Sequence, residues 1–139
     1  MSRKTISMFV IDAGSTMQSA VKDGELGNEI NRFDVALSSA TSSIIQKSSS
    51  KTFEAGVCIY GSGTTNNLLV HDEGFYENVD EKIPIGRCTL AGMKDLLSVK
   101  PGPTSGDLID SLVVGTHSLT NYQTGKANKG SECSKINYT

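Results

Sequence analysis

Apolar positions along the chain fall into two periods. Residues 5–11 (TISMFVI) form a short, mainly apolar run that stops at Asp12. A parallel strand buried on both faces reads this way. Small and polar residues follow, Ala13-Gly14-Ser15-Thr16, as in a loop at a strand's C-terminal end. Gly24, Gly27 and Asn28 mark a further loop. From about Ile30 to Lys47 the period changes: Phe33, Leu37, Ala40 and Ile44 are spaced 4, 3 and 4, one face of a helix. Asn28 or Asn31 can cap it, and Ser48-Ser49-Ser50 ends it. Residues 53–60 (FEAGVCIY) predict a second strand, closed by Gly61-Ser62-Gly63. Val79, Ile83 and Ile85 suggest a third, placed at a sheet edge because Pro84 cannot donate to a ladder. Thr89 then caps a helix through Leu90, Met93, Leu96 and Leu97, which Pro101-Gly102-Pro103 stops. Thr104 or Ser105 caps a last helix carrying Leu108, Leu112 and Leu119, with Ile109 and Val113 beside them. Asp107 in its first turn favours the helix dipole.

The predicted order is β-α-β-β-α-α, without internal repeats. Such alternation argues for an α/β fold: a doubly wound, mostly parallel sheet covered on both faces, with one antiparallel edge strand. After Tyr122 the pattern dissolves into polar residues. The expectation is one α/β domain over residues 1–122, incomplete at its C-terminus, and an irregular tail over residues 123–139.

Composition narrows the picture. With 139 residues the chain can bury a core, and 20% charged and 37% hydrophobic residues fit a globular domain. No run approaches the ~20 apolar residues of a spanning helix. The start is too soon interrupted by Asp12 to be a signal-peptide core, so an intracellular protein is expected. The net charge is −2 and the basic residues are scattered, whereas a domain that grips nucleic acid by itself shows a clustered basic face. Cys58, Cys88 and Cys133 are odd in number and lack metal-ligand spacing, which fits a reducing compartment. Cys58 lies in an apolar run as a small buried hydrophobe.

The sharpest chemical feature is Asp12-Ala13-Gly14-Ser15-Thr16, placed where open α/β sheets bind ligands. Three readings compete. The loop resembles the metal motif D-x-S-x-S of von Willebrand factor A-type domains, in which an Asp and hydroxyls are hard ligands for Mg²⁺. Asp12 and Thr16 match; Gly14 replaces the first Ser, and Pro103 falls where a later loop supplies Thr, so the site is degenerate and no bound metal or cofactor is expected. IDAGST also resembles the first phosphate motif of the apyrase and actin-like superfamily, which needs a tight hairpin into an antiparallel strand. Here residues 23–28 instead read as a polar loop leading into a helix. The plainest reading is that Asp12 and Thr16 satisfy backbone donors in a strand-to-helix loop. Gly61-Ser62-Gly63-Thr64-Thr65 lacks the Lys of a phosphate loop and reads as a turn. His71 and His117 have no matching nucleophile or second ligand. Asp72, Glu73, Glu77, Asp80 and Glu81 form an acidic stretch, by default a solvated loop, although an acidic rim attracts basic peptides. No catalytic constellation is readable, so a non-enzyme is expected.

Several segments in order resemble the N-terminal A-type domain of the large subunit of the Ku heterodimer. They are TISMFVIDAGSTM at the start, Asn31-Arg32-Phe33-Asp34-Val35-Ala36 before the long helix, AGVCIYGSGTTN over residues 55–66, and PGPTS followed by GDLIDSLVVG within residues 96–116. The resemblance spans roughly residues 4 to 120. It implies DNA double-strand break recognition, non-homologous end joining and telomere maintenance, a nuclear location and pairing with the small Ku subunit. It also implies that DNA ends are held through the heterodimer, while this region contacts repair or telomere proteins. The family continues with a strand of the kind K-K-I-x-L-x-T-D, of which residues 134–139 are at best a fragment. The alternatives are a phosphate-handling enzyme fragment of the apyrase and actin-like superfamily, or an A-type adaptor of another complex.

Overall fold

A computed structural model describes residues 4–22, 29–67, 69, 76–125 and 131–138. Strand β1 is Lys4–Asp12 and is followed by a 3-10 turn, Ser15–Gln18. Two three-residue strands, β2 (Ala20–Lys22) and β3 (Glu29–Asn31), pair antiparallel in a ladder of their own. Helix α1 is Arg32–Lys47, β4 is Phe53–Tyr60 and β5 is Val79–Gly86. Helices α2 (Leu90–Leu97) and α3 (Leu108–Gly125) follow, then β6 (Ser131–Tyr138).

The main sheet has the order β5-β4-β1-β6. β1 pairs parallel with both β4 and β6, and β5 runs antiparallel to β4 at the edge. This is the α/β, doubly wound and mostly parallel sheet that the pattern predicts, with its antiparallel edge strand where Pro84 requires it. All eight residues of β4 are buried, as a strand covered on both faces demands. Phe9, Ile11, Val57 and Ile59 face α1 and α2 and join Phe33, Leu37, Ala40, Ile44, Met93 and Leu96 in one core. The other face carries Ile6, Met8, Val10, Cys58 and Tyr60 against Val114 and Leu119 of α3.

The buried face of α1 is the predicted 4-3-4 stripe. Of the two candidate caps, Asn31 is used: its side-chain oxygen accepts from the Asp34 amide at 2.7 Å. Asn31→Ala is expected to cost about 1 kcal/mol, the usual worth of an N-cap. A urea titration with an unchanged slope and a lower midpoint checks this. Thr89 caps α2 as predicted, accepting from Gly92 N at 3.0 Å.

Three expectations are corrected. Helix α3 is not capped by Thr104 or Ser105. Asp107 Oδ1 accepts from the amides of Ile109 (2.7 Å) and Asp110 (3.4 Å), and the helix starts after it. Of the apolar residues expected along α3, Leu119 is buried but those of the first turns are not. Leu108, Ile109 and Val113 are 46%, 69% and 39% exposed, while Ser111, Val114, Gly115, Ser118 and Leu119 are buried. Small residues let this helix lie close to the sheet: a Cβ on Gly115 would stand 3.3 Å from Met8 Cγ. The buried hydroxyls are satisfied, Ser111 donating to Leu108 O (2.7 Å) and Ser118 to Glu81 Oε2 (2.9 Å). Last, the segment expected as an irregular tail contains the end of α3 and a strand. β6 extends the sheet from Lys4↔Ser131 to Val10↔Tyr138. Its sequence, SECSKINY, has no apolar run, so main-chain ladder bonds to β1 define the strand. The expected loop at residues 23–28 lies outside the described residues, and the β2–β3 ladder beside it was not predicted.

Candidate functional site

Three loops meet at the C-terminal ends of β1 and β4. They are the turn after Asp12, the turn at Gly61 and the connection between α2 and α3. Main-chain bonds tie them together. Ala13 N donates to Tyr60 O, Gly102 N to Ala13 O and Ser15 N to Thr104 O, each at 2.8 Å. Gly61 N donates to Asn78 O at 2.9 Å. Side chains add to this: Thr104 Oγ1 donates to Gly61 O (2.8 Å) and Gln18 Nε2 to Gly102 O (2.9 Å).

The approach is close enough to require glycine. Gly61 has φ +84°, and a Cβ there would lie 2.8 Å from Gly14 Cα. A Cβ on Gly102 would lie 2.3 Å from Ser62 O. The GSG turn read as a plain turn is therefore one wall of a closed three-loop junction.

This geometry separates the readings of Asp12. Its Oδ1 accepts from Gly14 N at 2.8 Å, the local capping role of an Asp in a turn. A phosphate loop presents free amides to its ligand. Here the amides of Ala13, Gly14, Ser15, Met17 and Gly102 already donate to protein oxygens. The antiparallel pair β2–β3 does not join β1, so the hairpin of the phosphate motif is not formed either. The donor set for a divalent ion is reduced. Gly14 and Pro103, at two positions of the metal pattern, offer no side-chain oxygen, which leaves Asp12 and Thr16. Asp12 and Thr16 share one loop, Asp12 ending β1 and Thr16 lying in the 3-10 turn that follows.

Beside the junction lies a polar cleft of about 610 Å³, lined by Tyr76, Glu77, Asn78, Ser105, Gly106, Asp107 and Asp110. Tyr76 and Asn78 have positive φ, 69° and 60°. Asn visits this region readily, while a Tyr held there is uncommon. Sequence alone did not bring these residues together; the one signal available was Glu77 in the acidic stretch. That stretch is divided in the fold. Asp80 Oδ2 accepts from Thr64 Oγ1 (3.0 Å) and Glu81 holds Ser118, so both are structural members of β5. His71, Asp72 and Glu73 lie outside the described residues. His117 borders an apolar groove on α3. Among the described residues no three His, Cys, Asp or Glu side chains cluster as metal ligands, and no helix is long and apolar enough to cross a membrane.

Two side chains under α3 titrate abnormally. Burial raises the Tyr60 hydroxyl above its ordinary value, and the Asp12 charge adds to this. The Cys58 thiol is pushed up to about 12, first by burial and then by Glu81 and Asp80. A thiol above its ordinary value stays protonated, so Cys58 is expected to resist alkylation at pH 8 in the folded protein and to react at once on denaturation. Mass spectrometry after iodoacetamide treatment, with and without denaturant, distinguishes the two states. The linkage has one sign. The contribution of Cys58 is complete below the unfolded-state value and is lost as pH rises from about 9 towards about 12.

The fold is that of an A-type α/β domain in which the loop after Asp12 is tied down by its own backbone. The family model described as the Ku70/Ku80 N-terminal alpha/beta domain matches residues 7–120, and the chain belongs to that family. Among solved structures, the chain is similar to an uncharacterized membrane spanning protein from Vibrio fischeri. The TM-score is 0.63 at 12% identity, covering 86% of this chain and 52% of that one. The chain thus spans about half the length of that protein, and the likeness is one of fold alone. No curated protein matches.

Proposed function

We propose that this chain is a region of a Ku large-subunit-type protein and works as a non-enzymatic protein-interaction domain. In this reading it acts in the nucleus, in DNA double-strand break recognition, non-homologous end joining and telomere maintenance. The observation that carries the proposal is the family match over residues 7–120. The segment GDLIDSLVVG opening α3 favours the large subunit over the small one. The scattered basic residues and the net charge of −2 favour a partner-binding platform. DNA ends would then be held through the heterodimer with the small Ku subunit. Repair or telomere proteins would bind this domain by surface complementarity on a rigid α/β frame.

Asp12→Ala separates this reading from phosphate chemistry. Wild type and variant are each expressed with the small subunit and assayed for nucleotide binding, ATP hydrolysis and recovery of the partner. The expected result is no nucleotide binding by either form and equal partner recovery. ATP hydrolysis by the wild type that the variant loses would overturn the proposal.

A further inference from the structure

We draw no further inference here: the strongest candidate, the apolar groove on the outer face of α3 lined by Ile109, Leu112, Val113, Thr116 and His117, carries none, because nothing in the structure shows what covers it.

Discussion

Gly61→Ala is expected to lower the unfolding free energy by about 2–5 kcal/mol, from two causes that add. A left-handed conformation costs an L-residue about 1–2 kcal/mol. Crowding a packed site costs about 1–3 kcal/mol more. Crowding is certain here because the added methyl meets main-chain atoms of two other loops: Gly14 Cα at 2.8 Å, Gly14 N at 2.9 Å and Gly106 N at 3.0 Å. None of these can rotate away as a side-chain end would. Gly63 supplies the internal control. It has the same φ of +84°, but its nearest neighbour to an added Cβ is Thr104 Oγ1 at 4.0 Å. Gly63→Ala should therefore show the conformational cost alone, about 1–2 kcal/mol. Paired urea titrations give both values. Equal losses at the two positions would mean that the three loops are not in contact as described.

Phe33→Ala is expected to be at least as damaging, at about 3–5 kcal/mol. Phe33 stands in the first turn of α1, is 0% exposed and belongs to the core formed with β1, β4 and α2. Truncation removes the apolar area of the ring and leaves a cavity that flanking strands cannot collapse to fill. A domain with an ordinary stability of about 5–15 kcal/mol then loses a large part of it. Val35, one turn-face away and 44% exposed, is the comparison: Val35→Ala should change stability by no more than about 0.5 kcal/mol. Thermal melts followed by circular dichroism would rank the two. A Phe33→Ala protein that melts with the wild type would contradict the packing of α1 on the sheet.

Elements whose burial is periodic were legible in the sequence, and the others were not, for physical reasons. The strands β1 and β4 and helix α1 could be read because burial on both faces, or on one helical face, leaves a strong periodic signal. The edge position of β5 followed from one residue, Pro84, whose missing donor excludes it from a central strand. Helix α3 misled for a physical reason. Its sheet-facing side mixes Ser111, Gly115 and Ser118, which allow close approach, with Val114 and Leu119, while Leu108, Ile109 and Val113 point outward. β6 misled because its main-chain pairing with β1 leaves no periodic apolar signature.

The candidate site was legible only in part. Asp12 and Thr16 stood out as a motif, and its departures from the metal pattern were visible in Gly14 and Pro103. What the sequence could not give was the state of the backbone. Whether the Ser15 amide is open to a ligand or bonded to Thr104 O depends on a loop some 90 residues further along the chain. The cleft beside Tyr76 was invisible for the same reason, since its two walls come from residues 76–78 and 105–110.

The proposal of a Ku-type role is tested most directly by retention of the endogenous protein, detected through its N-terminus, on linear and on closed-circular DNA, with its mass read in the same experiment. The account predicts retention on linear DNA only, together with a smaller Ku-like partner. Equal retention on both forms, or on neither, would contradict the role at DNA ends and leave an A-type interaction domain of another complex.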